Sequence, residues 1–247
     1  MHHQDTSVLT DPLENEIEGV TDVEIYDSLI SAILDHRLVP GTKLVEDKLA
    51  GAFGVSRTRI RPVLVRLANE NIITLRPNKG AVVAEPTPQE AQEIFEARRM
   101  IEPTLVARFI ASASQGEVLA LCQIIDDEEA ARLRGDRQRA IRLSGQFHLW
   151  IADNSGQVTL GRILSELVSR TSLILMTYGQ SDHQTACGCS AHRALVDAIR
   201  LRIPEPAQQL MQTHLLEIER SLVWHRHETP KNDLQSLLGI ESPNALR

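Results

Sequence analysis

The chain has 247 residues, 42% of them hydrophobic and 24% charged, with a formal net charge of −7. This composition is typical of one or two globular domains, and its acidic balance excludes a protein that coats nucleic acid through a uniformly basic surface. Aromatic residues make up only 3%, which favours helices over sheets. With 3 cysteines, no apolar run of membrane length and no signal-like N-terminal pattern, the sequence predicts a cytoplasmic protein without a disulfide framework.

Residues 1–20 are polar and lack a helical period, so they are predicted to form a flexible arm. Helical structure is expected to begin at Thr21, because Thr21 and Glu24 have the spacing of a capping box. One face of this first helix should be buried. The expected members of that face are Val23, Tyr26, Ile30, Ile33 and Leu34.

Two more helices are predicted before the pattern changes. The second covers residues 46–53 and ends at Gly54, which can adopt the left-handed conformation of a helix C-terminus. The third begins after Ser56, a good capping residue, and runs to about Glu70. Pro62 lies inside this third helix, where it has no amide hydrogen to donate, so a local kink is expected there.

Short β-prone runs at residues 72–76 and 81–84 flank the turn-forming residues 77–80 and predict a hairpin. Three helices followed by a hairpin is the order of a winged helix-turn-helix, here assigned to residues 21–84. Residues 85–88 contain two prolines and are interpreted as a stiff linker.

The rest of the chain is predicted to be all-helical over residues 89–227, followed by a loose tail at 228–247. Apolar residues recur there every three or four positions, and no isolated strand is indicated. The fold class is therefore mainly α, with an N-terminal winged helix-turn-helix and a C-terminal bundle of about six helices. The expected helical segments are residues 88–113, 116–133, 137–154, 157–180, 190–202 and 204–227.

Positive charge is concentrated in the 25 residues from Ser56 to Gly80, where 6 cationic side chains accompany one acidic residue, Glu70. Such a patch in an acidic protein favours contact with the phosphates of DNA. The start of the third helix is expected to enter the major groove, and the wing tip is expected to reach the DNA backbone or minor groove. A solvated basic helix that binds nothing is the alternative. The residues predicted to bind DNA are Arg57, Thr58, Arg61, Lys79 and Gly80.

Three histidines, His148, His192 and His214, fall on three separate predicted helices. Neutral imidazoles are good ligands for Zn²⁺ or Ni²⁺, so convergence of these helices would create a metal site. The alternative is three unconnected core or surface histidines. A second grouping, Cys187 and Cys189 with His183, is too sparse for a closed zinc site and is interpreted as a loop.

Several N-terminal motifs occur in an order and spacing that resemble the GntR-type transcription regulators, over about residues 22–84. The resemblance implies a winged helix-turn-helix that contacts DNA through Arg57, Thr58, Arg61 and Gly80. Asp47 departs from the pattern, because some members carry a DNA-holding arginine at that position. The matching residues are Leu38-Val39-Pro40-Gly41-Thr42-Lys43-Leu44, Glu46, Leu49-Ala50, Gly54-Val55-Ser56-Arg57-Thr58, Arg61, Leu67, Pro77 and Gly80-Ala81-Val82-Val83.

The helical half resembles the FCD effector-binding domain of the FadR branch of that family. The resemblance is carried by Arg98-Arg99-Met100-Ile101-Glu102, by Arg108 and Ala111, and by the three histidines. It implies that the histidines hold a metal together with an aspartate, whose position is Ser144 here. It also implies that Arg98 clamps an anionic effector; the alternative is a surface arginine paired with Glu102.

The sequence thus predicts a transcription regulator, expected to be a repressor and not an enzyme. Its expected partners are double-stranded operator DNA, a small organic acid or similar anionic effector and a second copy of the chain; no membrane is expected. A metal-dependent hydrolase at the histidines is the alternative function, although Ser144 replaces its nearest candidate base. A dimeric architectural DNA-binding protein is a further alternative.

Overall fold

The computed structural model describes residues 20–35, 37–76, 80–179 and 187–224, with only the backbone of Cys187 and Gly188 described. Within these ranges the chain forms nine helices and three short strands. The predicted class, mainly helical with a small N-terminal sheet, is confirmed. Nearly all of the expected arm and all of the expected tail lie outside the described residues.

The N-terminal domain begins with helix α1 (Asp22–Leu34), followed by α2 (Glu46–Phe53) and α3 (Arg57–Asn69). The predicted capping box is confirmed. The Glu24 amide donates to the Thr21 hydroxyl at 3.2 Å, and the Thr21 amide donates to the Glu24 carboxylate at 2.7 Å. These reciprocal bonds satisfy amides that have no partner inside the helix and fix where α1 starts.

The buried face of α1 is shifted from the predicted one. Ile25 and Leu29 are fully buried, whereas Val23, expected in the core, is 60% exposed. Ile33 was assigned correctly. The predicted and the observed apolar faces both have helical spacing. The orientation of α1 against α3 decides which of the two faces is buried.

The helix-turn-helix junction follows the predicted chemistry in part. Gly54 has a φ of 66° and ends α2 in the left-handed conformation, as predicted. Ser56 occupies the N-cap position of α3, but its hydroxyl contacts the Thr58 hydroxyl at 2.6 Å and not a backbone amide. The helix assignment continues through Pro62, and the expected kink stays a prediction.

The wing is a three-stranded antiparallel sheet of β1 (Lys43–Leu44), β2 (Ile73–Arg76) and β3 (Gly80–Val83), in the order β1-β3-β2. The predicted β2–β3 hairpin is confirmed, although residues 77–79 at its tip lie outside the described residues. Strand β1 was not predicted, because two residues are too few to show an alternating pattern.

The helical domain consists of α4 (Pro88–Ser112), α5 (Gln115–Leu133), α6 (Arg137–Asp153), α7 (Val158–Tyr178), α8 (Cys187–Arg200) and α9 (Pro204–Arg220). In the described part of the chain, no helix is both long and apolar enough to cross a membrane.

Two helix limits differ from prediction. Helix α8 starts at Cys187, so the Cys-Gly-Cys segment forms its first turn and not a loop; one glycine in a helix costs only about 1 kcal/mol. Helix α9 ends at Arg220 and not at residue 227. Beyond it, the Val223 amide donates to the Tyr178 carbonyl at 2.8 Å, a contact that draws the chain towards the end of α7.

Helix α7 packs into both hydrophobic cores. Its Ile174 belongs to the core of the helical domain, whereas the neighbouring Leu173 is fully buried in the core of the N-terminal domain. At the end of α7, the Tyr178 hydroxyl donates to the Pro86 carbonyl at 2.8 Å. Arg142 on α6 adds an ion pair with Asp35 at 3.3 Å. The two domains are therefore connected by side-chain contacts as well as by the chain itself.

We predict that Leu173→Ala destabilises the N-terminal domain by about 3 kcal/mol, because it opens a cavity in a core to which no other α7 residue contributes a fully buried side chain. Urea unfolding followed by circular dichroism measures the change. Leu133→Ala removes the same atoms from a side chain that is 84% exposed and should cost less than about 0.5 kcal/mol. Equal costs for the two variants would contradict the bridging role of α7.

Candidate DNA interface and candidate metal centre

The predicted DNA-reading residues lie on the solvent-exposed face of α3. The side chains of Arg57 and Arg61 are 66% and 72% exposed, and they are separated by one helical turn. Thr58 is also exposed. These residues lie in the N-terminal turns of α3, the second helix of the helix-turn-helix. Such domains insert this part of the second helix into the major groove of DNA.

Every arginine of α3 forms an ion pair with an acidic residue of the same domain. Three of these acids precede α3 in the chain, so counting charges in the basic segment alone could not reveal them. The reading helix is consequently less positive than its own sequence indicates. The pairs are Arg57–Asp47, Arg59–Asp22 at 2.9 Å, Arg61–Glu46 at 3.1 Å and Arg66–Glu70 at 3.3 Å.

Gly80 is required by the wing itself. Its φ is 77°, and a Cβ atom at this position would lie 2.8 Å from the Leu44 carbonyl oxygen of β1. Both facts exclude a larger residue without a shift of the backbone. The sheet therefore needs a glycine here for its own geometry, and the DNA contact expected of Gly80 stays a prediction. Lys79 lies outside the described residues.

The three histidines converge in the interior of the helical domain. His148 on α6, His192 on α8 and His214 on α9 are each at most 3% exposed. One nitrogen atom from each lies within 4.8 Å of the others, and the Nε2 atoms of His192 and His214 are 3.0 Å apart. In the described part of the chain, this is the one group of His, Cys, Asp and Glu residues with metal-binding geometry.

Two buried carboxylates orient these rings. Glu102 lies 2.5 Å from Nδ1 of His148, and Glu128 lies 2.9 Å from Nδ1 of His192. An ionised carboxylate accepts a hydrogen bond from Nδ1–H, which assigns the Nδ1–H tautomer and leaves Nε2 of each ring without a proton, as a metal ligand needs. Glu128 was missed by sequence analysis, and only its spacing of four residues from Arg132 could have indicated it.

The surroundings keep the two carboxylates charged and hold His148 and His214 neutral. Burial would raise the pKa of Glu102, but the Arg98 guanidinium and then His148 outweigh it and lower this pKa to about 2. Burial lowers the pKa of His148 to about 4, although Glu102 favours the charged ring. Burial and the two neighbouring imidazoles also depress the pKa of His214 well below its usual value. Neutral imidazoles are the form that binds metals.

Arg98 is buried beside this cluster and is not a surface residue, being only 2% exposed. Its Nε atom donates to Glu102 at 2.6 Å, and Nη1 donates to the Thr171 hydroxyl of α7 at 3.2 Å. Among the described residues nothing accepts a hydrogen bond from Nη2. A buried guanidinium with an unused donor is costly unless an acceptor arrives, which makes Arg98 a candidate anion clamp.

The remaining residues singled out from the sequence contribute less. Ser144 is half-buried on α6, one turn before His148. Burial raises the pKa of the Cys189 thiol to about 11, even though Arg132, which the sequence could not place beside it, favours the thiolate. A high pKa makes this thiol unreactive. His183 lies outside the described residues, so the sparse second cluster is represented by Cys189 alone.

A winged helix-turn-helix followed by a helical bundle with a buried polar centre defines a two-domain DNA-binding regulator. Residues 21–83 match the model of the bacterial regulatory proteins, gntR family, and residues 93–217 match the FCD domain. The chain belongs to the GntR family of transcription regulators and carries an FCD domain. It is therefore a regulator and not an enzyme, and the hydrolase alternative is rejected.

Individual relatives agree with this assignment. The HTH-type transcriptional regulator YdhC of Bacillus subtilis is 24% identical over 193 residues, which cover 78% of this chain and 86% of YdhC. The HTH-type transcriptional repressor RspR of Escherichia coli is 23% identical over 207 residues, covering 83% and 90% of the two chains. The solved GntR transcriptional regulator of Rhodococcus sp. RHA1 shares the fold, with a TM-score of 0.73, 21% identity and coverage of 81% and 95%.

We predict that Glu102→Gln destabilises the helical domain by about 3 kcal/mol, because it leaves the Arg98 charge buried without a counter-ion. Urea unfolding at neutral pH measures the loss. Glu96→Gln, an exposed change on the same helix, serves as the control and should stay within about 0.5 kcal/mol of the unchanged protein. The double variant Arg98→Met/Glu102→Gln should regain part of the stability; a fully additive loss would contradict the pairing.

Proposed function

We propose that this regulator binds operator DNA through Arg57, Thr58, Arg61, Lys79 and Gly80, and that a small anionic effector bound in the FCD domain changes its operator affinity. The observation that carries the proposal is the buried Arg98, whose Nη2 donor is unused beside three converging histidines. A carboxylate fits this position, because it accepts a charge-assisted hydrogen bond from the unused Nη2 donor. Organic acids are the corresponding effector class.

The histidine cluster fits a divalent metal such as Zn²⁺ or Ni²⁺. Three buried rings direct nitrogen atoms to one region, and carboxylates hold two of them in the tautomer that leaves Nε2 available. Ser144 supplies no negative charge where the family resemblance implies an aspartate, so His148, His192 and His214 would hold the ion. Bound there, the ion would offer a Lewis-acidic position to an effector oxygen.

Helix α7 is the proposed route from the effector to DNA. Thr171 accepts a hydrogen bond from Arg98, and Leu173, two residues further on, lies in the core of the N-terminal domain. Tyr178 at the end of the same helix holds Pro86, just before α4. An effector that draws Arg98 away from Thr171 would change the position of α7 and hence of the DNA-binding helices. A coupling of about 1–3 kcal/mol suffices to release an operator.

We further infer a cytoplasmic homodimer of the FadR branch that acts as a repressor. A dimer supplies two recognition helices for two half-sites about one DNA turn apart. Repression is supported by RspR, which is named a transcriptional repressor and matches 83% of this chain. An architectural DNA-binding protein would need neither a buried anion clamp nor a histidine cluster.

Fluorescence anisotropy on the intergenic DNA upstream of the gene, against a shuffled duplex, tests the operator assignment. The expected preference is at least about a thousandfold, with a steep salt dependence. Arg61→Ala should weaken operator binding by about 1–3 kcal/mol, whereas Arg134→Ala, exposed in the helical domain, should leave it unchanged. Organic acids are then screened for release. Equal binding of both duplexes at every salt concentration would reject the operator, and absence of any releasing or corepressing acid would reject the effector role.

Metal content tests the histidine cluster separately. The purified protein should hold about one divalent ion per chain, measured by plasma mass spectrometry after dialysis, and His214→Ala should lose most of it because one of three ligands is missing. Gln212→Ala, an exposed change on the same helix as His214, should retain the ion. Equal metal content in the two variants would exclude the cluster as the metal site.

A further inference from the structure

The ion pair between Asp47 and Arg57 joins the first turn of α2 to the first residue of α3. Asp47 contacts Nε of Arg57, and the two side chains are 59% and 66% exposed. The pair therefore lies on the surface that carries the DNA-reading residues. Nε is the atom of Arg57 that makes the contact with Asp47, and the two terminal nitrogens lie at the other end of the guanidinium, where a ligand can reach them.

We propose that Asp47 is a specificity-determining residue: it holds Arg57 by Nε, directs its terminal nitrogens towards a guanine edge and reduces its attraction to phosphate. The inference rests on the DNA interface proposed above. In the sequence, Asp47 stands out only because some family members carry an arginine at this position. The recognised chemistry is the O6 and N7 acceptor pair of guanine in the major groove.

The shape of the guanidinium group makes the orientation of Arg57 important for reading a base. Arginine reads guanine by donating two parallel hydrogen bonds, and a fixed fork loses less side-chain entropy when these bonds form. Arg61 provides the contrast, because Glu46 takes both its Nε atom, at 3.3 Å, and its Nη2 atom, at 3.1 Å. Arg61 must break one of these bonds to present both terminal nitrogens, whereas Arg57 keeps its pair intact.

Asp47 also places negative charge at the N-terminus of α2. Val45 at its N-cap provides no side-chain hydrogen bond, and Glu46 and Asp47 occupy its first turn. An uncapped helix N-terminus attracts phosphate, and the first helix of a helix-turn-helix crosses the DNA backbone. The Asp47 carboxylate opposes that attraction on any DNA sequence. On a site with a well-placed guanine, the contact made by the oriented Arg57 offsets the repulsion between Asp47 and phosphate. Random DNA offers no such contact, so the repulsion there is not offset.

The test compares Asp47→Asn, which removes the charge but keeps the shape, with Asp47→Glu, which keeps the charge. Asp27→Asn, an exposed change on α1, controls for net charge. Binding to the preferred upstream duplex and to its shuffled version is measured by anisotropy at about 50 and 200 mM salt. Freeing Arg57 for one phosphate makes Asp47→Asn lose about threefold to fourfold more affinity across this salt range per DNA-binding domain.

Asp47→Asn is also expected to bind shuffled DNA more tightly than the unchanged protein does. Its preference for the upstream duplex should fall about tenfold, which is comparable to the affinity lost through one mismatched base pair. Single base changes in that duplex should identify a guanine whose replacement penalises the unchanged protein and Asp47→Glu more than Asp47→Asn. Thermal melting by circular dichroism verifies that each variant is folded.

Three results would overturn the inference. The first is an equal rise in affinity for Asp47→Asn and Asp27→Asn. The second is tighter binding of Asp47→Asn to both duplexes by one common factor. The third is an unchanged salt dependence. These results differ from a failure of the operator assignment, in which the unchanged protein prefers neither duplex. In that case the salt dependence on shuffled DNA still decides whether Asp47 restrains Arg57.

Discussion

The helical domain depends on the compensation of two buried carboxylates. Glu102 is met by Arg98 on its own helix and by His148 on α6, and Glu128 is met in the same way by Arg132 and His192. Removing a carboxylate from water costs several kcal/mol unless such partners are present. The relative positions of α4 with α6 and of α5 with α8 are therefore constrained by charge as well as by apolar packing.

The same constraint prepares the centre for ligands. Because each carboxylate accepts a hydrogen bond from the Nδ1–H of one ring, the opposite nitrogen points away from it and towards the other histidines. Glu102 is shared between His148 and Arg98, so the candidate metal ligand and the candidate anion clamp are parts of one hydrogen-bond network. Thr171 extends this network to α7, the helix that also packs into the N-terminal core.

The DNA-binding surface shows how an acidic protein can present a reading helix. Its arginines are not free charges, because acids from α1, α2 and the end of α3 pair with them. Such exposed pairs are weak, worth about 0–1 kcal/mol, and DNA can replace them. In the proposed interface they would orient the side chains and moderate attraction to phosphate without removing the capacity to bind.

The sequence by itself determined the secondary structure, the winged helix-turn-helix order and the family, because helix periods, caps, turns and ordered motifs are local properties of the chain. It indicated His148, His192 and His214 but could not bring them together, and it missed Glu128 and strand β1. It also chose a neighbouring stripe as the buried face of α1 and extended α9 too far. Only the tertiary structure decided these points, since burial, ion pairing and the partner of a short strand depend on residues distant in the chain.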